Sequence, residues 1–163
     1  MNKYKDLYVM KPGVFTQLYI HLVFAVKHRD RLLKEEYRKE IFSYMSGIIT
    51  NLNHKSIIIN GIDDHVHILL GLNPAKTISD TVWEIKRSTS LFINEKKWFK
   101  NKFNWQDGYG GFSYSRSQID KVYKYIQNQQ QHHHRQTFKE EYTEFLKKFE
   151  IEYDQQFLFE FFD

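Results

Sequence analysis

The chain has no cysteine among its 163 residues, which excludes disulfides and thiolate metal sites. Any ion must therefore be held by histidine, carboxylate, amide or water. Two prolines, seven glycines and no stretch rich in serine and glycine leave no visible linker, and the length suits one well-filled core. A single domain over 1–163 is expected, with a polar leader at 1–14 and an acidic, aromatic tail at 150–163. No run approaches the roughly 18 apolar residues that a membrane span needs, and Met1-Asn2-Lys3-Tyr4-Lys5 is not followed by an apolar segment. The expectation is a soluble, cytoplasmic protein with no membrane partner.

What is present is charge, unevenly spread, and an aromatic content of 17%. Residues 1–40 carry nine Lys/Arg against five Asp/Glu, and residues 86–102 carry six against one. Residues 139–163 reverse this, with three against eight. The net charge of +4 thus divides into an acidic tail of −5 and a body of +9. A basic body suits a polyanion, which binds by neutralising phosphates and releasing counterions; a solvated helix face is the plainer reading of the same charges.

Periodicity gives the order of elements. Phe15 to Val26 is rich in aromatic and β-branched residues and reads as a long first strand containing His21. A basic loop follows, Lys27-His28-Arg29-Asp30-Arg31, with Lys27, Arg29 and Arg31 as candidate phosphate contacts. From Lys34 to about Asn53, Tyr37, Ile41, Phe42, Tyr44, Met45, Ile48, Ile49 and Leu52 recur at helical spacing. Ser56 to Ile62 and His65 to Leu72 read as strands whose short connection through Asp63-Asp64 makes them antiparallel neighbours. Thr77 to about Lys97 reads as a helix with Ile78, Val82, Ile85, Thr89 and Phe92 on one face, leaving Lys86 and Arg87 off that stripe as DNA-backbone candidates. The glycine-punctuated segment Trp105 to Ser115 reads as a turn leading into an edge strand. Ser115-Arg116-Ser117-Gln118 supplies cap residues for a helix from about Ser117 to His132, with Arg116 a further candidate phosphate contact, and a last helix runs from Phe138 to Phe149. Strands meeting hairpin-wise with helices between them predict an α+β fold, a ferredoxin-like or RRM-like antiparallel sheet covered by helices.

Chemistry concentrates in two stretches. In Asp64-His65-Val66-His67-Ile68-Leu69-Leu70 the two histidines are one residue apart in a strand, so both imidazoles project to one face and can reach one cation. The plainer alternative is one hydrogen-bonded core histidine and one surface histidine. In the later helix, Tyr125 and Gln129 are four residues apart and face the same way, a phenol one turn from an amide. His132, His133 and His134 resemble a metal tract, yet consecutive helix residues point about 100° apart, so they read as a solvated helix end. Asp64 is a candidate for orienting His65 or His67, or simply a polar residue at a strand start.

Asp64-His65-Val66-His67-Ile68-Leu69, Trp105-Gln106-Asp107-Gly108-Tyr109-Gly110, Phe112-Ser113-Tyr114-Ser115 and Tyr125-Ile126-Gln127-Asn128-Gln129 with His132-His133 resemble, in order and spacing, the signature stretches of the single-tyrosine HUH transposases. These are carried by small bacterial insertion sequences and include the REP-associated tyrosine transposases. The similarity runs from about Phe15 to about Phe149. It implies a metal-dependent endonuclease and strand transferase acting on single-stranded DNA with hairpins. Carried over by motif, His65, His67 and Gln129 hold the divalent ion and Tyr125 is the nucleophile, with Tyr123 nearly opposite on the helix as the competing choice. The resemblance also implies a homodimer in which one subunit's tyrosine helix can complete the other's histidine site. A domesticated enzyme that nicks and rejoins palindromic repeats is an alternative, and so is a non-catalytic nucleic-acid-binding module.

Imidazole favours softer ions such as zinc, while carbonyl and water suit magnesium or manganese; ligand type across that tension selects manganese, and the resemblance admits magnesium too. A phosphotyrosine retains the energy of the broken bond, so rejoining to a 3′ hydroxyl needs no nucleotide cofactor. No dedicated general base is visible in the sequence.

Overall fold

Side-chain alternation along the first strand divides the molecule into two layers. A computed structural model describes residues 13–158, so residues 1–12 of the expected 1–14 leader and 159–163 of the expected 150–163 tail lie outside the described residues. In β1 (Tyr19–Ala25), Ile20, Leu22 and Phe24 join one apolar cluster, while Val23 and Ala25 join another on the opposite face, where His21 also lies. The strand is shorter than the expected Phe15–Val26. Tyr19 pairs with Gly71 and Tyr114, the last residues of the two neighbouring strands. Phe15 and Leu18, beyond those partners, are exposed.

The first layer is built by α1 (Glu35–Asn51) and α2 (Ile78–Lys96). Ile41, Met45, Ile48 and Ile49 of α1 pack with Val82, Ile85 and Ile93 of α2 over Leu22, Phe24, Val66, Ile68 and Leu70. Thr77 caps α2 by accepting from the Asp80 amide, satisfying one of the donors a helix start leaves open. Val82, Ile85 and Thr89 of the expected α2 stripe are deeply buried and Ile93 joins them, while Phe92 packs against the same core half-buried and stacks on Tyr44.

Between α1 and α2 the chain forms β2 (Lys55–Gly61) and β3 (His65–Gly71), and after α2 it forms β4 (Gly110–Tyr114). The sheet order is β2-β3-β1-β4 with every neighbour antiparallel, the ferredoxin-like arrangement expected. The β2–β3 turn is tight enough that a Cβ on Gly61 would run into the His65 carbonyl oxygen and sit 3.0 Å from the Val66 Cα. Glycine there lets β3 begin at His65 itself.

The second layer comprises α3 (Ile119–Gln127), α4 (Gln129–His132) and α5 (Phe138–Lys148). Ile119, Val122 and Ile126 of α3 pack on Leu69, and Phe138, Tyr142 and Leu146 of α5 pack on Val23, Ala25 and Phe112. The single helix expected from Ser117 to His132 is interrupted at Asn128 (φ −98, ψ 22). The Asn60 side chain of β2 donates to the carbonyls of Ile126 and Gln127 at 2.9 and 3.0 Å, satisfying groups that a continuous helix would bond internally. A capping box between Thr137 and Glu140 starts α5. Among the described residues, no helix is long and apolar enough to cross a membrane.

Candidate active site

The β3 pleat sends His65 and His67 to the face covered by α3 and α5, and both are fully buried. Each has its Nδ1 held. His65 Nδ1 donates to Asp64 Oδ1 at 2.7 Å, and the Arg29 guanidinium grips the other oxygen of Asp64 at 3.1 and 2.6 Å. His67 Nδ1 lies 2.8 Å from Nε2 of His21, on the neighbouring strand. The His65 ring lies flat on Phe138, centroids 3.9 Å apart, and the Arg29 guanidinium covers the same phenyl ring. Both imidazoles are thereby oriented with Nε2 toward a common point, the arrangement in which metal-ligating histidines are held by outer partners.

At that point sits Glu141 of α5. Its Oε1 is 3.0 Å from His67 Nε2, 3.5 Å from His65 Nε2 and 3.5 Å from His133 Nε2. Its Oε2 accepts from the Tyr125 hydroxyl and, at 3.2 Å, from the Gln129 amide. The two histidines of β3, the phenol of α3 and the amide of α4 therefore meet within one chain. Ligand atoms of His65, His67, His133 and Glu141 all lie within 4.8 Å of one another. Nε2 of His65, Nε2 of His133 and Oε1 of Gln129 are buried without a hydrogen-bond partner. Nitrogen lone pairs and an amide oxygen of this kind are the donors a divalent ion takes, so the residues fit a metal. A cleft of about 320 Å³ between α3 and α5, lined by Lys121, Tyr125, Glu141 and Lys148, gives access to the phenol.

Charge in this pocket follows from burial and neighbours. Burial would raise the Glu141 carboxyl, but His67, His133 and His65 outweigh it and hold the group well below the usual carboxylate range. Burial and the Glu141 charge together push the Tyr125 phenol far above its ordinary value, so the hydroxyl stays protonated while that carboxylate faces it. Burial and then His67 depress His21, which keeps it neutral. His65 is raised, because Asp64 and Glu141 outweigh its burial.

Asp64 is held at about 2 by His65 and Arg29 against the opposing effect of burial. A carboxyl lowered on folding contributes stability that is fully present above its unfolded value near 3.8 and is lost as pH falls toward 2. In metal-free protein, Asp64→Asn is expected to cost about 2 kcal/mol at pH 7. Urea titrations at stepped pH should show the gap between variant and wild type closing between pH 4 and pH 2.

The expected DNA contacts divide into two groups. Lys27 and Arg31 are exposed, Arg87 is exposed over Trp83 beside Glu84, and Arg116 is exposed 3.8 Å from Asp120. Arg29 has Asp64 and Phe138 as partners. The Lys86 ammonium donates to the carbonyls of Gln106 and Gly108 at 2.8 and 2.6 Å, and burial brings it down to about 8. Tyr123 is exposed, on the side of α3 away from the pocket.

Three residues of the pocket were not singled out by sequence reasoning. Glu141 carries a signal: it falls on the same helical stripe as Phe138, Tyr142 and Phe145, a charge at an apolar position. His21 carries one too, since it alternates with Val23 and Ala25 on the buried face of β1. His133 carries one as part of the 132–134 histidine tract, read as a solvated helix end; only His133 of the three meets Glu141, turning inward where α4 begins anew after Asn128.

The chain is similar to known proteins along most of its length. The ISDra2 transposase TnpA of Deinococcus radiodurans is 28% identical over 124 residues, covering 72% of this chain and 87% of that protein. The transposase for insertion sequence element IS200 of Salmonella typhimurium is 28% identical over 94 residues, covering 55% of this chain and 62% of that protein. Two solved structures share the fold. A Deinococcus radiodurans crystal structure assigned as a transposase superposes with a TM-score of 0.57 at 24% identity, covering 75% of this chain and 98% of that one. A REP-associated tyrosine transposase bound to a REP hairpin gives 0.56 at 13% identity, covering 77% of this chain and 74% of that one. The family model described as transposase, IS200-like, matches residues 14–129, and the chain belongs to that family: it is a single-stranded DNA transposase, an enzyme that nicks and transfers DNA strands.

Proposed function

We propose that Tyr125 is the nucleophile and that His65, His67 and Gln129 hold the divalent ion, manganese or magnesium, on which the activity depends. One observation carries this reading: the phenol, the amide and the two imidazoles converge on a single buried carboxylate. A divalent ion bound there supplies Lewis-acid charge to the scissile phosphate. The Tyr125 oxygen bonds to phosphorus, its proton is released, and the 3′ oxygen departs and is protonated by water, leaving the DNA 5′-phosphate on tyrosine. A second 3′ hydroxyl reverses the exchange, so no nucleotide cofactor is consumed. Asp64, braced by Arg29, and His21 hold the imidazole rings in place, since positioning dominates phosphoryl transfer.

The substrate is single-stranded DNA bearing hairpins, in keeping with the hairpin bound by the REP-associated relative. Lys27, Arg31, Arg87 and Arg116 contact its backbone, with Lys121 and Lys148 at the cleft. Arg29 acts through Asp64, and Lys86 acts through the 106–108 loop it fastens. The enzyme works in the cytoplasm as a homodimer of single-domain subunits.

Removal of the metal is the direct test. With a hairpin oligonucleotide, EDTA should reduce the covalent protein–DNA adduct on a denaturing gel to background, and added Mn2+ or Mg2+ should restore it. A non-catalytic binding module would shift the oligonucleotide on a native gel and never cleave it.

A further inference from the structure

Glu141 lies outside the stretch that matches the family, which ends at residue 129, yet it is the group on which the pocket converges. Asp64, whose other oxygen is gripped by the Arg29 guanidinium, accepts from His65 Nδ1, and this turns His65 Nε2 toward the Glu141 carboxylate. With Nδ1 so engaged, Nε2 is the atom left to take an ion, and a divalent ion between it and the carboxylate oxygen satisfies both. The spacing fits one. Adjacent ligand atoms about 2.1 Å from an octahedral ion lie about 3.0 Å apart, and Glu141 Oε1 is 3.0, 3.5 and 3.5 Å from the three Nε2 atoms. Two of those atoms, on His65 and His133, have no other hydrogen-bond partner.

We propose that Glu141 and His133 are ligands of the resting ion site, completing with His65 and His67 a set of four from one chain, and that the scissile phosphate enters by displacing the Glu141 carboxylate. The inference rests on the reading that His65 and His67 hold the ion. The second carboxylate oxygen supports displacement: Oε2 accepts from the Tyr125 hydroxyl. A carboxylate touching the ion-binding nitrogens through one oxygen and the nucleophile through the other occupies the place a phosphodiester must take to be attacked. Four protein ligands leave two of the six positions of such an ion to water, and release of the carboxylate opens a third beside the nucleophile. Gln129, whose Oε1 is buried without a partner beside Glu141, is placed to take up the coordination that the carboxylate gives up.

The test uses the full chain and Mn2+, read as free-ion electron paramagnetic resonance signal without DNA. Glu141→Gln and His133→Ala are each expected to weaken Mn2+ binding on the order of 10- to 100-fold, and His65→Ala to abolish it. Unchanged affinity in Glu141→Gln, with affinity lost in His65→Ala, overturns the proposal and spares the reading beneath it. Unchanged affinity in His65→Ala overturns that reading. Wild-type protein carrying 13C in its glutamate carboxyls guards against a misfolded variant. It should show a 13C coupling to Mn2+ that disappears when a single-stranded oligonucleotide is added, and a spectrum without that coupling overturns the proposal.

Discussion

Tyr125→Phe is expected to eliminate the covalent protein–DNA adduct while leaving hairpin binding within about threefold of wild type, because the change removes a hydroxyl and keeps a ring of nearly the same size. That ring packs against His132, Phe145 and His67 at centroid distances of 4.7, 5.6 and 6.0 Å, contacts that phenylalanine preserves. What disappears is the donor to Glu141 and the atom that bonds to phosphorus. The two readouts separate: a denaturing gel scores the adduct and a native gel scores binding. An undiminished adduct would move the nucleophile elsewhere, with Tyr123 first in line despite its exposure on the far side of α3.

Phe138→Ala carries the largest expected loss of stability, about 3–5 kcal/mol, because it empties a buried aromatic site. Phe138 is 1% exposed, packs with Val23, Ala25 and Tyr142, and lies between the His65 ring and the Arg29 guanidinium. At roughly 2–4 °C per kcal/mol for a chain of this size, calorimetry should record a melting point lower by about 10 °C. The same change frees the His65 ring to rotate, so Mn2+ affinity should fall along with stability. A drop of less than about 2 °C would mean that α5 does not seal this face of the sheet.

The strands and helices were legible because periodicity and turn chemistry are local. His65 and His67 were legible for the same reason, being two positions apart on one strand, and Tyr125 and Gln129 because they are one helical turn apart. Glu141 was not, although it binds all of these together. Its role depends on α5 folding back over β1 and β3, a long-range event that no spacing within Phe138–Phe149 encodes. The interruption at Asn128 was hidden similarly, since its cause is the Asn60 amide arriving from a strand far earlier in the chain. Even so, the carboxylate stood out in principle as a charge on an apolar stripe, as did His21 on the buried side of β1.

The Asn60 tether has a mechanical consequence. Because it bolts the last carbonyls of α3 to β2, and β2 is laddered to β3, the attacking oxygen and the Nε2 atoms of His65 and His67 share one chassis. The obstructing carboxylate rides on a separate strut, attached through residues 133–137. Turning the Glu141 side chain aside, with α5 in place, clears the way for a substrate while Phe145 still packs on the phenol, so admission and alignment can be tuned by different mutations.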